Sequence, residues 1–143
     1  MIVIASTFNG KFLRDSIYDY LILKNIMQIE NLGEYENEII STHAVCRKVL
    51  KDSKNRGIIV GNSLGMAIAA NRFPHIRAVE CNSIDEIIEC RESIDCNVLC
   101  LNYSKITNIN LNETIDRWLK QNFDETTYNK SSVYLMDQLH IPL

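Results

Sequence analysis

The sequence predicts an α/β domain built on a parallel sheet of five strands with helices on both faces. Three observations carry this. Short apolar runs alternate with stretches of helical periodicity along the chain. Runs such as GIIVG and NVLCL are apolar at consecutive positions, as strands covered on both sides are. No repeat, low-complexity tract or Pro/Gly-rich linker divides the 143 residues, whose only prolines are Pro74 and Pro142. One domain spanning 1–143 is expected.

The elements follow in order. MIVIAS is an apolar run ending in small polar residues, and Leu13, Ile17, Tyr20, Leu21 and Lys24 then recur at helical spacing. A weaker strand lies at IMQIENL and is expected to stop near Gly33. Beyond it Ile39, His43, Cys46 and Leu50 fall on one helical face. GIIVG is the third strand, GMAIAANR a short helix of small residues, and IRAVEC the fourth strand, entered through Phe73-Pro74. Ser83 with Glu86 forms a capping box for a helix reaching about Arg91. NVLCL is the fifth strand. Asn110 with Glu113 opens an amphipathic helix through Leu111, Ile115, Trp118 and Leu119, and TYNKSSVYLMDQL reads as the last helix. The run Lys48, Lys51, Lys54 and Arg56 suits a helix end, where cations meet the negative end of the dipole.

Composition excludes several classes of function. Apolar residues make up 46% and charged residues 23%, the balance of an ordinary globular protein. A net charge of -3 and a pI near 5.6 leave no basic face for a nucleic-acid backbone. No segment approaches the roughly 18 apolar residues of a membrane span, and the amino terminus has no charged region followed by a long apolar run. Cys46, Cys81, Cys90, Cys96 and Cys100 show neither CxxC nor Cys/His metal spacing, which fits reduced thiols in a cytoplasmic chain without a metal.

In a parallel α/β sheet ligands bind beyond the carboxyl ends of the strands, where strand order reverses. Those ends supply Ser6, Thr7 and Asn9; Glu34 and Tyr35; Gly61, Asn62 and Ser63; Glu80, Cys81 and Asn82; and Asn102 with Tyr103. The set is polar and has no histidine. A dinucleotide site is not indicated, because G-x-G-x-x-G does not follow the first strand. The third strand ends in Gly61-Asn62 rather than in a phosphoacceptor carboxylate, and STFNGK is an incomplete flavin phosphate loop. No cofactor is expected. The Gly61 to Gly65 loop opens a helix whose free amides would suit an anion; alternatively, its glycines simply allow close packing. A phosphate or other small anion is the expected ligand, with Gly61, Asn62, Ser63 and Gly65 as candidate binding residues.

The stretches GNSLGMAIAANRFPHIRAVEC and CRESIDCNVLCL carry a resemblance. They are similar to the core of the B-type ribose-5-phosphate isomerases and the related two-subunit galactose-6-phosphate isomerases. The resemblance implies a three-layer flavodoxin-like, Rossmann-like fold and an active site shared between subunits of a homodimer or larger assembly. It also implies aldose-ketose isomerisation of a sugar phosphate, in which a proton moves between adjacent carbons through an enediolate.

Against that pattern the scaffold is kept and the chemistry is not. The family's cysteine base matches Val60, and the glutamate of a second version matches Met66. The loop's threonine becomes Asn62 and its second glycine Ser63. The amino-terminal Asp-His pair falls on Thr7 and Phe8, and the ring-opening histidine and following asparagine on Ser93 and Ile94. The phosphate-gripping arginines fall among Thr127, Tyr128, Ser131 and Ser132, with Lys130 the nearby cation; the resemblance thus implies a phosphorylated sugar as ligand and adds Thr7 and Lys130 to the candidate binding residues. Asn62 and Cys81 are the remaining catalytic candidates, Cys81 as a thiolate base. His43 reads as a core or interface histidine, His75 as an exposed replacement for a turn glycine, and His140 carries no assignment. Two functions follow: an isomerase working with non-standard groups, or a catalytically silent chain that binds a phosphorylated ligand or completes the site of a paralogue in a hetero-oligomer.

Overall fold

A computed structural model describes residues 1–26, 28–106 and 110–139; His140 and Pro142 lie outside the described residues. The strands are β1 (Ile2–Thr7), β2 (Ile29–Tyr35), β3 (Arg56–Gly61), β4 (Ala78–Glu80) and β5 (Val98–Asn102). The helices are α1 (Lys11–Leu23), α2 (Glu38–Val49), α3 (Gly65–Ala70), α4 (Ile84–Ile94), α5 (Leu111–Lys120) and α6 (Thr127–Gln138). A 3-10 turn at Phe8–Gly10 joins β1 to α1. All five strands are parallel, in the order β2-β1-β3-β5-β4. This is the three-layer α/β architecture expected. The last two strands are exchanged relative to the simple doubly wound order. Strand order reverses between β1 and β3, so that crevice is the place for a site.

Alternation along each strand sends side chains to two cores. Ile2 and Ile4, Ile58 and Val60, and Leu99 and Leu101 meet Ile17, Leu21, Ile87, Ile115 and Trp118 from α1, α4 and α5. Val3 and Ala5, Ile59, and Val98 and Cys100 meet Val45, Cys46, Val49, Met66 and Ala70 from α2 and α3. Trp118 is fully buried, with the Arg56 guanidinium 5.7 Å and the Arg91 guanidinium 5.4 Å from its ring centre. Arg56 is therefore not a solvated helix-end cation: its Nη1 donates to the carbonyl of Trp118 at 2.8 Å and stitches β3 to the end of α5. Among the described residues no helix is long and apolar enough to cross a membrane.

Two local expectations are corrected. Gly33 does not stop β2 but sits inside it at φ 85°, its N–H taken by Asn31 Oδ1 at 2.9 Å, where the β1 register slips between Ile4 and Ser6. A glycine adopts this conformation at no steric cost, and the result is a bulge. Helix α2 faces the sheet through Ser41, Thr42, Val45, Cys46 and Val49, leaving Ile39, His43 and Leu50 exposed. The chosen face is the one that allows closest approach: a Cβ on Gly57 would stand 2.5 Å from Val45 Cγ1. His43 is accordingly no core residue; its ring meets Phe73 edge-on at the surface, with centroids 5.2 Å apart. His75 is exposed, as expected, at φ 64°.

The helix caps match the sequence. Ser83 Oγ accepts from the Glu86 N–H, and Asn110 Oδ1 from the Glu113 N–H. Helix α4 runs past Arg91 to Ile94 and is closed by Asp95 in the left-handed region at φ 50°.

The fit of α2 on β3 yields a test. Gly57→Ala is expected to lower stability by about 1–3 kcal/mol, the range for overpacking, read as a fall in the urea midpoint; an unchanged midpoint would contradict the packing described.

Candidate active site

Beyond the carboxyl ends of β1, β3 and β5 lies a cavity of about 440 Å³. Thr7, Phe8 and Asn9 form one wall, Asn62 and Ser63 another, Tyr103 the third, and Glu36 to Ile39 the rim from the β2–α2 connection. Its position is the crevice where strand order reverses. Sheet hydrogen bonding fixes the walls: β1 and β3 pair from Ile2 with Arg56 to Ser6 with Val60, and the Tyr103 N–H donates to the Gly61 carbonyl at 2.9 Å.

The glycine loop is occupied by the chain itself. Glu38, the first residue of α2, extends its carboxylate across the crevice, and its Oε1 accepts the Asn62 N–H at 2.9 Å. The Gly65 N–H is taken by Ser63 Oγ, also at 2.9 Å. An oxyanion entering here meets amides already paired with an anionic oxygen and a hydroxyl. A Cβ at position 61 would stand 2.7 Å from Met66 Sδ and 3.1 Å from Glu38 Oε1, so a side chain there would push on both.

The electrostatics oppose an anion as well. The lining carries two carboxylates, Glu36 and Glu38, and no Lys, Arg or His among the described residues. The nearest basic groups are already paired. Arg14 is buried on α1, with Nη1 2.8 Å from Glu34 Oε2 and Nη2 2.7 Å from Asp15 Oδ1. Burial works to lower its pKa, but the hydrogen bonds to Glu34 and Asp15 outweigh this and the net direction is up. Lys11 also leans toward Glu34, at 3.8 Å. Thr7 Oγ1 is buried and has no hydrogen-bond partner in the structure.

The positions inspected in sequence divide accordingly. Thr7, Asn62 and Ser63 line one cavity, with Gly61 and Gly65 shaping the loop beside them. Cys81 and Lys130 are not brought there. Cys81 is 1% exposed in the core, its Sγ 3.7 Å from Cys90 Sγ, and that hydrogen bond together with burial drives its pKa up, the wrong direction for a base. Lys130 is exposed on α6, a helix that packs against α4. Val60 and Met66 are fully buried core residues, and Phe8 is exposed at the cavity wall. Ser93 lines a separate groove beside Cys90. Among the described residues no group of three or more His, Cys, Asp or Glu is placed to hold a metal ion.

Sequence reasoning missed Glu38 and Arg14. Arg14 had a signal, since it stands three residues before Ile17 and seven before Leu21 on the inward face of α1. Glu38 had only the Asn37 cap before it, whose side chain accepts the Ile39 N–H. Nothing in the linear order pairs residue 38 with residue 62.

The model of the Ribose/Galactose Isomerase family matches residues 2–134. The chain belongs to that family. A ribose-5-P isomerase B of Listeria innocua is 28% identical over 135 residues, covering 91% of this chain and 90% of that one. The crystal structure of a ribose 5-phosphate isomerase from Thermotoga maritima superposes with a TM-score of 0.84 at 28% identity, covering 96% of this chain and 97% of the other. The ribose-5-phosphate isomerase B of Mycoplasma genitalium, solved with bound ribulose 5-phosphate, gives 0.86 at 27% identity, covering 94% and 93%. The ribose/galactose isomerase fold is thus retained along nearly the whole chain, while the glycine loop holds an internal carboxylate.

That contact makes a direct prediction. Glu38→Ala is expected to free the Asn62 N–H, so that inorganic phosphate shifts the Asn62 amide resonance in the variant and leaves it unmoved in the parent protein. Equal phosphate responses in both would contradict the internal occupation of the loop.

Proposed function

We propose that this member of the ribose/galactose isomerase family turns over no sugar phosphate by itself and serves as a subunit that assembles with a complete paralogue. The observation that supports the reading best is the Glu38 carboxylate on the Asn62 amide, where the reaction's oxyanion would need a donor. Val60 and Met66, at the two positions where the family carries a base, are buried and cannot ionise. Loss of a general base alone costs about 10²–10⁴ in rate. The missing cations add a weak hold on phosphate to that loss. A chain that keeps the sheet, Gly61 and Gly65 of the loop, and the helix caps while lacking these groups is suited to a role in assembly, as a homodimer or a hetero-oligomer.

A second reading has an observation of its own. Glu38 is a half-buried carboxylate at the edge of the cavity, and a carboxylate is chemically competent to take a proton from a carbon next to a carbonyl. Under this reading the chain is an aldose-ketose isomerase with a base recruited from α2. The first reading is favoured because Glu38 Oε1 is held on the loop amide and the cavity lining offers no cation for a phosphate among the described residues.

The two are separated by assaying the purified chain with ribose 5-phosphate and with galactose 6-phosphate. The expected result is no turnover above the uncatalysed rate, with co-purification of a family paralogue that has the cysteine, histidines and arginines. Turnover abolished by Glu38→Gln would overturn the proposal in favour of the second reading.

A further inference from the structure

Away from the cavity, the carboxyl end of β4 and the middle of α4 bring two thiols together. Cys81 Sγ and Cys90 Sγ are 3.7 Å apart, in contact but beyond the roughly 2.05 Å of a disulfide, so a bond between them requires the two side chains to approach. They differ in access. Cys81 is 1% exposed in the core, whereas Cys90, itself only 5% exposed, also lines an open groove of about 240 Å³ with Val79, Glu86, Glu89, Ser93 and Ile94. Cys46 and Cys100, by contrast, are buried in the opposite core under α2 and α3.

We propose that Cys81 and Cys90 form an oxidisable dithiol, with Cys90 the residue attacked from the groove by a hydroperoxide and Cys81 the resolving thiol. The Cys90 thiolate attacks the terminal peroxide oxygen and breaks the O–O bond, giving a sulfenic acid and releasing water or an alcohol once the leaving oxygen is protonated. The Cys81 thiol then attacks the sulfenic sulfur, a second water leaves, and an intrachain disulfide remains. Two electrons pass from the two sulfurs to the peroxide, which is the only co-reactant.

The electrostatics agree with this division of roles. The hydrogen bond with Cys81 and the charge of Arg91 draw the Cys90 thiol below its ordinary pKa against the opposing effect of burial, while its own S–H is directed at the Ile87 carbonyl at 3.3 Å. The Cys81 thiol moves the other way, through its hydrogen bond to Cys90 and through burial. Burial alone pushes Cys46 up to about 12, which makes it an inert control. The disulfide would fasten the end of β4 to α4, the helix that carries α5 and α6 on its outer side. The inference does not rest on the proposed function and would hold for an active or a silent chain.

The sequence makes the test simple. Trypsin releases Cys81 and Cys90 together on the peptide 78–91, while Cys96 and Cys100 share the peptide 92–105. The folded chain is treated with one equivalent of hydrogen peroxide, unfolded in iodoacetamide without reductant, digested and weighed. The expected product is peptide 78–91 lighter by two hydrogens and unalkylated, with Cys46 and Cys100 fully alkylated. In Cys81→Ala a sulfenic acid on Cys90 is expected to be captured by dimedone, while the parent chain measurement stands whether or not that variant folds. The proposal is overturned if peptide 78–91 is fully alkylated after peroxide, if Cys46 and Cys100 oxidise to the same extent, or if the bond joins the two peptides.

Discussion

One hydrogen bond organises the functional half of this molecule: the Glu38 carboxylate on the Asn62 amide at the head of the glycine loop. A loop of this kind presents backbone donors to whatever negative charge approaches. Here the charge is covalently part of the chain, twenty-four positions away in sequence, and held by the amino end of α2. The contact is local to one amide, yet it decides what the crevice can accept. An incoming oxyanion must displace a carboxylate whose effective concentration is set by the fold, in a cavity whose lining adds a second negative charge, Glu36, and no positive one among the described residues.

The rest of the architecture is consistent with a scaffold retained for its own sake. Two cores sandwich the sheet, and the close approach of α2 to Gly57 and the clamping of Trp118 between Arg56 and Arg91 are features of stable packing that involve no substrate. Arg14, buried and bound to Glu34 and Asp15, ties α1 to β2 at the same end of the sheet as the cavity. Four of its five N–H groups are directed at Ser6, Glu34 and Asp15. Only the arginine is buried: the carboxylates of Glu34 and Asp15 keep 31% and 44% of their side chains exposed. At this end of the sheet Arg14 and Glu38 are held by other residues of the chain, while Thr7 Oγ1 is buried without a partner.

Much of this was legible in the residues. Apolar periodicity placed all five strands, and Ser83 with Glu86 and Asn110 with Glu113 placed two helix starts, because capping is a matter of neighbours within one turn. The replacements at Val60, Met66, Phe8 and Ser93 rest on the resemblance alone, and the fold places these residues in the core, at the cavity wall and in a separate groove. What escaped shares a physical cause. The inward face of α2 was chosen by the depth of the depression over Gly57, so small residues such as Ser41 and Thr42 won over Ile39 and His43. Gly33 continued a strand because a bulge needs its positive φ. Glu38 with Asn62, Arg14 with Glu34, and Cys81 with Cys90 are contacts across a strand-helix crossover, which composition and periodicity do not encode.

The central claim is that the chain holds no group free to take a proton from a sugar phosphate in this crevice, and solvent exchange tests it most directly. Ribulose 5-phosphate is incubated with the chain alone in deuterium oxide and its C1 hydrogens are followed by proton NMR, which detects proton abstraction even where no net isomerisation accumulates. The account predicts C1 signals that decay no faster than in a protein-free control. Deuterium incorporation at C1 that depends on the protein would contradict it.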